Sequence, residues 1–180
     1  MAFPVIHSPI QSKGVVYKLH HLQPSRISLS GQREQGQDLV VRVSFHSHVY
    51  SQAHDGTGAE EAVFRDEAGR SRVFCVTRYA WCLALPGLCE ALVRDNGLTF
   101  ESKDRNERNH LTVCDNPATD GRKYHIYYEL LPSSTKGIDV ELVVKSAFEK
   151  EYVAAHHRRR EHIRRFIRQC HFKQERVPKA

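Results

Sequence analysis

From Asp38 to Tyr50 the chain alternates: Val41, Val43, Phe45 and Val49 lie on one side, and Arg42, Ser44, His46, His48 and Tyr50 on the other. A period of two is that of a half-buried strand. The same period returns at 138–148, where Ile138, Val140, Leu142 and Val144 alternate with Asp139, Glu141, Val143 and Lys145. Carried forward, that apolar face includes Ser146 and then Phe148, which sets a hydroxyl in line with core residues. Three more strands are predicted at 98–103, 110–114 and 123–131. Their connectors, "DRNERN", "DNPATDG" and "PSSTKG", are rich in turn residues and short enough for hairpins, so an antiparallel meander is expected.

Helical spacing begins at Thr77, a fair N-cap. Pro86 opens a second helical segment, and Asn96-Gly97 supplies a stop. Glu67-Ala68-Gly69-Arg70 reads as a turn between two short extended pieces. Residues 28–37 and 51–62 read as loops, and 15–22 fits either a strand or a helical turn. In the stretch 153–172, free of Pro and Gly, Ile163, Phe166, Ile167 and Cys170 fall at i, i+3, i+4 and i+7. The expected class is α+β, with helical segments packed on an antiparallel sheet of four or more strands and a basic C-terminal helix. Residues 1–152 are expected to form one domain, and 153–180 the basic amphipathic helix with a short tail.

Charge changes this picture at one end only. Residues 150–180 hold ten Lys or Arg against three Glu, a net +7, whereas the whole chain is +6. The basic character therefore belongs to the tail, which points to an anionic partner there. Arg158, Arg159, Arg160, Arg164, Arg165 and Arg168, with Lys145 on the last strand, are the candidate nucleic-acid contacts. No apolar run approaches the roughly 18 residues of a membrane helix. The opening "MAFPVIHSPIQSKG" has no charged n-region or continuous apolar core of a signal peptide. A cytoplasmic protein with no membrane partner is expected, its five cysteines reduced and mostly buried.

Twelve histidines and five cysteines raise the question of a metal. Cys75, Cys82 and Cys89 are seven apart, about 10.5 Å per interval on a helix. Two thiolates sharing a zinc each lie only about 2.3 Å from it. His46-x-His48 makes half a site with no third ligand marked by spacing, so neither metal nor cofactor is expected. No Gly-x-Ser-x-Gly and no glycine-rich phosphate loop is present. The remaining polar set is His46, His48, Arg78-Tyr79, Lys103, Arg105, the tyrosines of 124–128, Lys145 and Ser146. Such residues can cleave RNA without a metal: a base takes the 2′-hydroxyl proton, cations stabilise the phosphorane and an acid protonates the leaving oxygen. Each has an ordinary structural reading as well, as polar strand face, packing pair or solvated helix.

Three segments, "SFHSHVYS" (44–51), "RVFCVTRYAWCLALPGLCEAL" (72–92) and "KYHIYYELLPSSTKGIDVELVVKSAFEKEY" (123–152), resemble uncharacterised bacterial and prophage proteins. That arrangement is similar to the superfamily uniting barnase, EndoU, colicin-type tRNases and RelE-like toxins. The resemblance implies a metal-independent ribonuclease with helices preceding a four-stranded antiparallel sheet. It also implies a site of His48 (or His46), Arg78 or Lys103, and Ser146 as a phosphate-contacting hydroxyl. The leading expectation is a small RNA-cleaving protein, a toxin or mobile-element effector with an antitoxin as partner. Its rivals are a non-catalytic nucleic-acid-binding module and a phage-type inhibitor whose tail binds an acidic protein surface.

Overall fold

The computed structural model describes residues 5–54, 62–102, 110–115, 122–151 and 157–179. Its strands, in chain order, are β1 (Ile10–Ser12), β2 (Val15–Tyr17), β3 (Ser25–Leu29), β4 (Leu39–Phe45), β5 (Ser51–Ala53), β6 (Val63–Arg65), β7 (Ser71–Phe74), β8 (Leu98–Ser102), β9 (His110–Asp115), β10 (Arg122–Pro132), β11 (Val140–Glu151) and β12 (His157–His162). The helices are α1 (Val76–Cys82), α2 (Leu85–Arg94) and α3 (Ile163–Lys173).

The meander is present as β8-β9-β10-β11, each pair antiparallel. It is the middle of a larger, mixed sheet of seven strands, ordered β12-β8-β9-β10-β11-β4-β3. The one parallel pair is β11 with β4, Val140 to Val144 opposite Val41 to Phe45. That pair explains why both sequences are so apolar: Val41, Val43, Phe45, Val140, Leu142 and Val144 are buried together with Ile126, Tyr128 and Leu130. On the opposite face, Arg42 and Glu141 stand opposite one another and form a two-pronged ion pair of 2.8 and 2.7 Å. β3, which the sequence reading left partly in a loop, closes this edge against β4. Residues 15–22 turn out to be both things in succession, β2 and then a 3₁₀ turn at His20–Leu22.

Helical segments pack on the sheet as expected. α1 starts at Val76 with Cys75 before it, and Pro86 sits in the first turn of α2. Beyond α2, Asn96 takes a positive φ and the Gly97 amide donates to the Leu92 carbonyl at 2.8 Å. A Cβ on Gly97 would meet Leu92 Cδ1 at 2.8 Å, so a larger residue there would make the Leu92 side chain shift.

Two expectations need correction. The predicted helix over 153–172 begins only at Ile163, because His157–His162 has no apolar stripe to dock. Those residues instead pair with the open edge of β8, an edge strand rich in charge, with a bulge between Arg158 and Glu161. The second correction concerns Ser146. Tyr127 pairs with Ser146 and Tyr128 with Val144, so Lys145 is an extra, unopposed residue. An inserted residue reverses the in–out parity. Ala147, not Ser146, returns to the core, while Phe148 stacks on Tyr127 at 5.4 Å.

The boundary expected at residue 152 thus falls between strands of one sheet. Ile163, Phe166, Ile167 and Cys170 are fully buried in the same core as β10 and β11. Truncating a buried Phe costs about 3–5 kcal/mol. Phe166→Ala should lower the unfolding free energy by that amount in urea denaturation, and a change under about 1 kcal/mol would mean α3 is not docked.

Candidate functional site

β4 leaves the sheet after Phe45, and the His46 amide makes the last ladder bond, to Val144 O at 2.8 Å. A 3₁₀ turn, Ser47–Val49, follows. His46 and His48 are therefore not two polar positions of one strand. The turn aims them at different partners in the hairpin between β6 and β7, residues 66–70.

Asp66 organises that hairpin. Its Oδ1 accepts the amides of Ala68 (2.9 Å) and Arg70 (2.8 Å). Its Oδ2 accepts Arg70 Nε (2.9 Å) and His48 Nε2 (2.8 Å). The side chain has no exposure, and these bonds overcome the effect of burial to hold its carboxyl well below the usual range. His48 Nε2 faces both the ionised Asp66 carboxylate at 2.8 Å and Arg70 Nη2 at 3.1 Å. With the shorter contact to the carboxylate, Nε2 carries the proton and donates to Asp66, Arg70 Nη2 is a contact and not a bond, and Nδ1 carries the lone pair. No described residue bonds Nδ1. Burial lowers the basicity of His48, the Asp66 bond partly restores it, and Arg72 and Arg70 lower it again. The imidazole is neutral near pH 7.

Around it stand the guanidinium groups of Arg70, Arg72 and Arg78. Arg72 is buried and donates to Ser51 Oγ and Ser51 O at 3.2 and 2.9 Å. No described carboxylate bonds it. Burial and the neighbouring Arg78 both lower its pKa. Arg78 donates to the His48 and Ser51 carbonyls at 3.0 and 2.8 Å and lies over the Phe148 ring, 4.9 Å from its centroid. It ties the 3₁₀ turn to α1.

His46 faces Glu67, Nδ1 to Oε2 3.6 Å. Burial, then the Lys145 ammonium, bring its pKa down to about 4. Lys145 pairs with Glu129 at 3.3 Å, and Glu129 also takes Arg176 at 2.7 Å. The fold thus gathers His46, His48, Arg78 and Lys145 about one turn, with Ser146 beside Lys145 on the off-core face of β11. Lys103 and Arg105 lie outside the described residues.

The tail arginines are largely engaged within the chain. Arg159 meets Glu101 (3.3 Å) and the Phe166 ring, and Arg160 lies over Phe100. Arg164 caps α2 through the Val93 and Arg94 carbonyls, and Arg165 pairs with Glu161 at 2.7 Å. Arg168 covers Phe172. Arg158 stands in β12 opposite Glu101.

Asp66, Glu67, Arg70 and Arg72 escaped the sequence reading as site residues. The available signal was the turn expected at Glu67-Ala68-Gly69-Arg70, whose preceding acid, Asp66, was not part of that expectation. Ligand atoms of His48, Asp66 and Glu67 lie within 4.8 Å of one another, the third-ligand proximity that spacing did not mark. Both oxygens of Asp66 are already doubly engaged, however, and an ion there would have to displace Arg70.

The family model described as "YjaZ family" matches residues 9–172. This chain belongs to the YjaZ family. The match spans the sheet from β1 through α3, so in this YjaZ-family chain the hairpin, the 3₁₀ turn and the tail helix all fall inside the matched region. No curated protein and no solved structure matches the chain. Among the described residues, no helix is long and apolar enough to cross a membrane.

The depressed His46 sets a pH dependence. Its unfolded pKa is about 6.5, so above pH 6.5 it is neutral in both states and contributes nothing. As pH falls from 6.5 to about 4 the unfolded chain takes up a proton that the folded chain does not, and stability drops. The slope from this one group approaches about 1.4 kcal/mol per pH unit. Urea titrations between pH 7 and pH 4 should show that loss, and His46→Gln should remove its share. An unchanged slope in His46→Gln would place the acid sensitivity elsewhere.

Proposed function

We propose that this protein cleaves RNA, with His48 as the general base. The observation that carries the reading is a neutral imidazole whose Nδ1 has no described partner, set near the buried guanidinium of Arg72, to which no described carboxylate is bonded. A lone pair with a lowered pKa suits removal of a 2′-hydroxyl proton near neutral pH. Asp66 holds the ring in the required tautomer. Arg72 and Arg70 are the charges assigned to the phosphorane. His46, neutral down to about pH 4, is a poor proton donor at pH 7. Lys145, close enough to depress His46, is the donor this reading assigns to the departing 5′-oxygen. The resemblance of three segments to the barnase–EndoU–colicin–RelE group supports the same reaction class, as does an effector role of the toxin or mobile-element kind.

The purified protein, incubated with unstructured and hairpin RNAs, should leave 2′,3′-cyclic phosphate ends. His48→Ala should cut the rate by roughly 10²–10⁴-fold while the circular dichroism spectrum stays native. Cleavage by His48→Ala at the wild-type rate, or no cleavage by wild type on any RNA tested, would sink the proposal.

A second reading rests on the exposed arginines of α3. Arg165, Arg168 and Lys173 lie on its solvent side, where a non-catalytic binder would meet nucleic-acid phosphates or an acidic protein. If phosphates bind there, replacing Arg165 and Arg168 by Gln should flatten the log–log salt dependence of nucleic-acid affinity by just under one unit each. An unchanged slope assigns them to a solvated face.

A further inference from the structure

Behind the hairpin lies a cleft of about 550 Å³ between the segment Val5–Gln11 and β6. Its size is that of a small-molecule site. The N-terminal wall is fixed by His7, whose Nε2 donates to Phe45 O at 2.9 Å while Nδ1 accepts from the Tyr50 hydroxyl at 3.0 Å. Apolar surface borders the cleft at Ile6, Val63 and Phe64. Ile6 and Val63 remain 77% and 42% exposed.

The polar groups of the walls are mostly used up. Both nitrogens of His7 and both oxygens of Asp66 are engaged. Glu67 remains. Its Oε1 accepts the Ser47 amide (2.6 Å) and its Oε2 the Ser47 hydroxyl (3.0 Å), bonds that with its own backbone amide hold it ionised against burial. His46 at 3.6 Å is too distant for a hydrogen bond. A carboxylate held by Ser47 and lining the cleft is an acceptor for two parallel N–H groups.

We propose that this cleft binds a planar group presenting two adjacent N–H donors to Glu67, its flat face against Phe64 and its edge against Ile6 and Val63. Two sources carry that chemistry. One is the base edge of a 2-amino-6-oxopurine, and the other is an amidine or guanidinium. The inference does not require that the protein cleave RNA, because the recognition rests on Glu67, to which the cleavage reading assigns no role.

The test uses the full chain and three probes, guanosine, inosine and benzamidine, with binding read from the Ser47 amide proton by NMR. That proton is bonded to Glu67 and reports its charge directly. A Ser47 shift with guanosine but not inosine, which lacks the 2-amino donor, supports the base source. A shift with benzamidine but not guanosine supports the cationic source. Either affinity should fall at least about 10-fold in Glu67→Gln, whose amide offers a donor where an acceptor is needed. It should fall as well in Val63→Trp, which narrows the cleft without touching Glu67. No Ser47 shift with any probe at millimolar concentration overturns the proposal. So does binding that survives both substitutions in folded protein.

Discussion

Everything at the site hangs on one buried charge. The carboxylate of Asp66 is fully removed from water, a placement that costs several kcal/mol unless the charge is matched and its lone pairs are filled. Four donors fill them: two amides of the hairpin's own turn, the Arg70 guanidinium and the His48 ring. The turn supports the charge and the charge supports the turn. Gly69 makes this closure possible, since its φ of +75° lets the chain reverse within reach of Asp66. Among the described residues His48 is the one partner of this carboxylate from outside the hairpin, so the same bond that orients the imidazole also docks the hairpin on the end of β4.

That docking depends in turn on sheet parity. β4 runs parallel to β11 for five residue pairs, from Val41 to Phe45, and then departs. Opposite this departure β11 inserts Lys145. Without the bulge Lys145 would keep a regular ladder place, and Ser146 would turn into the core where Ala147 now sits. With it, the edge of β11 left open by β4 faces the 3₁₀ turn, and the Lys145 ammonium comes close enough to suppress the charge on His46. A single inserted residue thus links core packing to the electrostatics of the turn.

The parts legible in the sequence are those governed by one local period. The meander strands, the split helical pair at Pro86 and the stripe Ile163–Cys170 could be read because each repeats over several residues. β12 could not, since "HRRREH" carries no apolar period and becomes a strand only because β8 offers an unpaired edge. The parallel pairing of β4 with β11 was equally invisible, being a contact about a hundred residues apart in sequence. His46, His48, Arg78 and Lys145 were named from residue type and do cluster. Asp66, Glu67, Arg70 and Arg72 were not named, because a turn acid and a strand arginine acquire chemistry only through residues some twenty positions away. The bulge misdirected the reading of Ser146, as any extra residue in a period-two argument must.

The two groups of arginines differ in what they can offer an anion. Those of β12 and α3 hold carbonyls, rings and glutamates of their own chain, and Arg165 and Arg168 face solvent. Their field is screened within a Debye length of about 8 Å at physiological salt. Arg72 has a mostly buried guanidinium bonded only to Ser51 among described residues, and Arg78 beside it lowers its pKa further. Two like charges held together at reduced hydration gain most from an anion that approaches both. Under the proposed RNA cleavage, the smaller, hidden cluster beside His48 is therefore the group assigned to the phosphate, rather than the conspicuous run at 158–168. Net charge draws attention to the tail, whereas desolvation favours the buried guanidinium.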